Sequence, residues 1–300
     1  MKITSDISTN TVSKPKNENQ VPKKESDETT NTATQKAPST VHLQQKILSW
    51  FSRVGISPSM SSPDPKRQQQ VLARRKQILE AQKASNLQSI LNIALNVAIS
   101  ESEKETIDPD WFFAFSSMAE EIHSPAMQEL WGKIFAVEVS KPGSFSLRSL
   151  QILKSITHRD AKIFSRAVSI ASRSHRDSVP RILVGFHRRK GLFSLFKRRS
   201  PEQLSLSHFG LSFPDLLALQ DMKLIYASEI ESGEYVEGQQ TKWRCGSEHF
   251  SLASKTTGVA LIYYKFTAAG SELAKLVGRS DNAHYLTMLH QVLGEAFVVS

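Results

Sequence analysis

The sequence predicts a mainly α fold with a smaller α+β part: a helical domain followed by a winged-helix-like unit, preceded by a disordered N-terminal arm. Three observations predict it. Apolar residues recur at three- and four-residue steps through much of 66–179, the repeat of an amphipathic helix. After Pro180 short β-like runs alternate with helical ones. Before residue 43 there is hardly any large apolar side chain.

That first stretch, 1–42, consists largely of Ser, Thr, Asn, Lys, Glu and Gln, and buries too little surface to offset the entropy of ordering. Its Lys and acidic residues nearly balance, which predicts a solvated leader and not a basic nucleic-acid-binding tail. Over 43–65 a short amphipathic helix carrying Ile47, Leu48, Trp50, Phe51 and Val54 stops near Gly55 and gives way to a Pro- and Ser-rich linker. Such a helix docks on the main domain or, alternatively, meets a membrane surface or a partner.

In the helical domain, 66–179, a long helix is predicted from about Arg67 to Glu101, with Leu87, Ile90, Leu91, Ala94, Leu95 and Ala98 on one face. Its first half, with Arg74, Arg75, Lys76 and Lys83, is polar and projects into solvent or meets another chain. Asp108-Pro109-Asp110 starts the next helix, because aspartate caps free N–H groups and proline is tolerated in the first turn. Trp111, Phe112, Phe115, Met118 and Ile122 then face the core. Ser124-Pro125 repeats the device before the stripe Met127, Leu130, Trp131 and Ile134, which Pro142-Gly143 ends. Leu147, Leu150, Leu153 and Ile156 form another stripe, and Thr157 and Asp160 stand at capping-box spacing ahead of Ile163, Phe164 and Ala167.

The basic linker, 180–200, opens with a short strand or extended segment at Ile182 to Phe186 that leads into the basic run His187 to Arg199. In 201–300 the sequence predicts a short helix after Ser212-Phe213-Pro214 and β-like runs at Leu224 to Ala227, Thr241 to Leu252 and Val259 to Phe266. Two helices close the chain, about Ala268 to Val277 and Asn282 to Val298. This order resembles winged-helix modules, with Leu219 to Ile225 entering the wing and Phe266 to Gly270 leaving it. Fold likeness of this kind does not establish DNA binding.

Leu130-Trp131-Gly132-Lys133-Ile134-Phe135-Ala136, followed by Glu138, Pro142-Gly143-Ser144-Phe145-Ser146-Leu147-Arg148 and Leu153-Lys154, resembles a bacterial, mainly proteobacterial, family of uncharacterised proteins with a domain of unknown function. The resemblance extends from the Asp108 helix to Gly270, implies bacterial origin and carries no activity with it. The same residues also have a structural explanation. Trp131, Phe135, Phe145 and Leu147 fill a core, Pro142-Gly143 turns the chain, Ser144 or Ser146 caps the next helix, and Arg148 is a candidate partner for Glu138.

The motifs of nucleotide hydrolysis, dinucleotide binding and zincin chemistry are missing from the sequence. His158-Arg159-Asp160 spells a kinase triplet but lacks its downstream asparagine and phosphate loop. Glu120 and His123 have the spacing of a di-iron helix, without the second copy and additional glutamates such a site needs. The lone Cys245 makes neither a disulfide nor a multi-thiolate metal site, and is expected to be an inert thiol in a strand. No catalytic residue, metal site or cofactor is expected. With no apolar run of the roughly 18 residues a spanning helix needs, the sequence predicts no transmembrane segment and a cytoplasmic location.

The formal net charge of +9 favours an anionic partner. Much of it falls in the run containing Arg188, Arg189, Lys190, Phe193, Phe196, Lys197, Arg198 and Arg199, which has no acidic residue. These residues are the candidate anion or nucleic-acid contacts: the cations neutralise phosphates while the rings stack on bases, or the apolar centre enters lipid headgroups. A solvated loop with its Leu and Phe side chains tucked away is the plain alternative. The functional expectation is a non-enzymatic interaction or accessory protein, with an unknown protein partner or self-association through the long helix. Nucleic-acid binding through the basic run and the wing-like hairpin, or membrane-surface association through the same run, are the alternatives.

Overall fold

The computed structural model describes residues 38–57, 64–97, 106–188, 202–278 and 280–300. The chain divides between Ser57 and Pro58 into two units. In the first, α1 (Pro38–Arg53) is ended by Gly55 at φ 72°, a left-handed position that suits a residue without a side chain. The predicted arm therefore overlaps a helix from Pro38 onward, and its earlier part lies outside the described residues.

The second unit begins with α2 (Pro65–Leu95). Asp64 caps it by accepting a hydrogen bond from the Lys66 N–H at 3.0 Å, with Pro65 in the first turn. Three further helices start on Asp108, Ser124 and Ser146: α3 (Pro109–Ala119), α4 (Pro125–Ser140) and α5 (Leu147–Ser155). Then comes α6 (His158–Ser169), where Thr157 and Asp160 form both bonds of the predicted capping box. Aromatic rings fill the space between α3 and α4: Phe115 lies 5.1 Å from Trp111 and 5.2 Å from both Trp131 and Phe135, centroid to centroid.

The seam of α2 differs from the predicted stripe. Asn86, Ile90 and Ala94 are buried, whereas Leu91 and Leu95 are exposed. The reason is the close approach of α4: a Cβ on Gly132 would stand 2.6 Å from the Ile93 side chain. Ile93 therefore packs over the glycine, and the seam turns away from Leu91 and Leu95.

Glu138 is buried, and its carboxylate accepts the backbone N–H of Gly143 at 2.6 Å and of Phe145 at 2.9 Å. The Trp111 indole donates to the Phe145 carbonyl at 2.7 Å. One carboxylate and one indole thus hold the turn between α4 and α5. Arg148 is exposed and is not the partner of Glu138.

The remaining elements are β1 (Ser172–Ser174), β2 (Asp177–Arg188), β3 (Glu202–Gln203), a 3-10 turn at Leu206–Phe209, α7 (Phe213–Asp221), β4 (Ile230–Glu231), β5 (Gln240–Cys245), β6 (Glu248–Ser254), β7 (Val259–Lys265), α8 (Ala268–Leu273), α9 (Ala283–Leu293) and β8 (Phe297–Val299). The strands form one antiparallel sheet in the order β4-β7-β2-β1-β5-β6-β8, with β3 also on β2.

This overturns the winged-helix-like unit. The β5–β6 hairpin is flanked by β1 and β8, and β7 pairs with β2 and not with β6. The class is α+β, built on a large sheet. Both Ile182–Phe186 and Val259–Tyr263 are buried throughout. Such continuous apolar runs are strands covered on both faces, and each satisfies its backbone by pairing with the other across the intervening sequence. The predicted terminal helix is also corrected: α9 ends at Leu293, the chain turns through Gly294, and the β-branched Val298 and Val299 join the sheet edge.

The phrases expected to enter and leave a wing are instead packed on each other. Thr267 caps α8 and donates its hydroxyl to the Lys223 carbonyl at 2.6 Å, and a Cβ on Gly270 would stand 2.0 Å from the Leu224 carbonyl oxygen.

Replacing Glu138 with Gln keeps the shape but turns an amide N–H₂ toward one of the two backbone donors. Loss of a charge-assisted bond at a buried site is expected to lower stability by about 2 kcal/mol, read as a lower urea midpoint at unchanged slope. An unchanged midpoint contradicts the clamp.

Candidate functional site

On β5, Trp243 and Cys245 are buried, while Lys242 and Arg244 alternate onto the other face. The register extends this face across three strands. Arg244 stands opposite Arg173 of β1 and His249 of β6, and Lys242 stands opposite Ser251. Arg173, Arg244 and His249 therefore form a row, with neighbours about 5 Å apart along the hydrogen-bonding direction.

These residues line an open groove of about 500 Å³, together with Gln240, Ser174 and Ser178. A second cavity of about 410 Å³ shares Arg173, Ser178 and Arg244 and continues to Lys275, Gly278 and Ser280. The two cavities adjoin at Arg173, Ser178 and Arg244. Neither cavity has an Asp or Glu among its described lining residues, and Lys242 and Arg244 form no ion pair among the described residues. Permanent cations and neutral donors suit phosphate or carboxylate oxygens, with arginine offering paired N–H groups.

Of the candidate contacts predicted from the basic run, Arg189, Lys190, Phe193, Phe196, Lys197, Arg198 and Arg199 lie outside the described residues. Arg188 ends β2, donates to the Glu295 carbonyl at 2.6 Å, sits 5.4 Å from the Phe186 ring centroid and does not line the groove. Sequence reasoning missed the groove itself because Arg173 is about seventy residues from Lys242 and Arg244. One signal was present: Lys242-Trp243-Arg244-Cys245 alternates charge with bulk, the mark of a two-faced strand.

The other sequence candidates serve the fold. His123 Nδ1 lies 3.1 Å from the Asn86 amide, which also donates to the Glu120 carbonyl at 2.7 Å. The Asn86 oxygen accepts from Gln82 and Gln128, so this pair belongs to a polar knot between helices. Among the described residues no three His, Cys, Asp or Glu side chains group to hold a metal. Asp160 is a capping residue. No helix of the described residues is long and apolar enough to cross a membrane.

A family model described as a protein of unknown function, DUF2806, matches residues 70–290. The chain belongs to this family. The DUF2806 match takes in the Glu138 clamp and the groove residues on β1, β5 and β6, and leaves out α1. No curated protein and no solved structure matches the chain.

The Cys245 thiol is pushed up to about 11 by burial, and it donates to the Ser169 carbonyl at 3.9 Å. Arg244 points to the opposite face of β5 and does not activate it. Thiol titration with an aromatic disulfide at neutral pH is expected to be slow on the native protein and fast in denaturant. Rapid native labelling contradicts this placement.

Proposed function

We propose that this DUF2806 protein is a non-enzymatic binding protein whose sheet groove takes the phosphate backbone of a nucleic acid. The observation that carries the reading is the row Arg173, Arg244 and His249, with Lys242 beside it, on a sheet face where no described acidic side chain intrudes. The neighbouring cavity that shares Arg173, Ser178 and Arg244 supports an extended ligand over a single small anion. The groove's Trp243 and Phe250 are buried, so recognition is expected to rest mainly on phosphate, and affinity to vary little with sequence.

The test is fluorescence anisotropy with short labelled single- and double-stranded DNA and RNA, titrated across salt concentrations. The K242Q/R244Q variant is expected to bind more weakly at every sequence. Its slope of log affinity against log salt should flatten by about 0.9 for each duplex phosphate contact removed. Wild-type protein that binds nothing at low salt, or a variant with the same slope as wild type, overturns the reading.

A further inference from the structure

Helix α1 carries a face that nothing in its own unit covers. Leu43, Ile47, Leu48, Trp50, Phe51 and Val54 are all exposed, Leu43 at 57% and Trp50 at 59%. At the angular step of an α-helix these side chains fill about half of the circumference. That is broader than the two-in-seven seam through which helices pair as coiled coils.

The charge pattern decides what such a face meets. Residues 38–57 contain no Asp or Glu, and their two permanent cations, Lys46 and Arg53, fall where the polar half borders the apolar half at Trp50. The Arg53 guanidinium lies 4.3 Å from the Trp50 ring centroid. An amphipathic aromatic at the border with cations beside it matches the boundary between acyl chains and headgroups, where ring and cation each find their medium. Pairing between two copies of α1 would bring these cations together with no acidic partner on the helix.

We propose that α1 is a peripheral membrane helix that lies in the headgroup layer of an anionic bilayer, its apolar half turned toward the acyl chains. At 16 residues it lies along the surface and does not cross it. This inference is independent of the groove, whose residues belong to the other unit.

The experiment is co-sedimentation of the full chain with vesicles of phosphatidylcholine alone and of phosphatidylcholine mixed with phosphatidylglycerol. The wild type is expected to sediment with the mixed vesicles and much less with the neutral ones. The I47E/F51E variant is expected to lose about tenfold or more of its partitioning, and K242Q/R244Q to keep it. No vesicle binding by the wild type, full binding by I47E/F51E, or loss confined to K242Q/R244Q overturns the proposal. So does an I47E/F51E variant that, without lipid, melts lower or changes its sedimentation coefficient, because the face is then covered by the protein body or by a second copy.

Discussion

The antiparallel pairing of β2 with β7 is the constraint around which the second unit is arranged. The two strands run side by side from the Arg181–Lys265 pair to the Arg188–Val259 pair, and their central residues are buried. Burial on both faces demands that helices be spent on this pair, and α8 and α9 both pack on β2. The Tyr285 hydroxyl of α9 reaches the Leu183 carbonyl at 2.7 Å, beside the shift in register between Leu183 and Gly185. The strands β5 and β6 alternate instead, with one face buried and one open. The groove exists because the sheet is wider than its helical cover.

The local parts of this architecture were legible in the sequence. Asp108, Thr157 and Asp160 announce helix starts through chemistry that acts within three residues, and the structure places them as caps. The aromatic stripe on Trp111, Phe115 and Trp131 also reads directly as core. What depends on distant contacts was not legible. The rotation of α2 is set by Gly132, nearly forty residues away from Ile93. The wing-like reading failed because strand order is decided by pairing between β2 and β7, which the intervening sequence does not announce.

The motif that carried the family resemblance turns out to be a folding device. Gly132 admits α2, Glu138 clamps the turn after α4, and Phe145 accepts the Trp111 indole through its carbonyl. Across the turn, Glu272 of α8 accepts from the Ser146 backbone at 2.7 Å and from the Ser149 hydroxyl at 2.6 Å, tying the start of α5 to the sheet-bearing half. The motif specifies geometry, whereas the groove lies on strands with no sequence signature beyond alternation. Bulk charge says nothing of place, whereas the register of three strands gathers Arg173, Arg244 and His249 in one row.

The groove reading is tested most directly by crosslinking the protein to a photoreactive RNA and identifying the attached peptides by mass spectrometry. The account predicts adducts in 173–178 and 240–251, the segments that meet on the open sheet face. Adducts confined to the basic run between 188 and 199, with none on β1, β5 or β6, would contradict it.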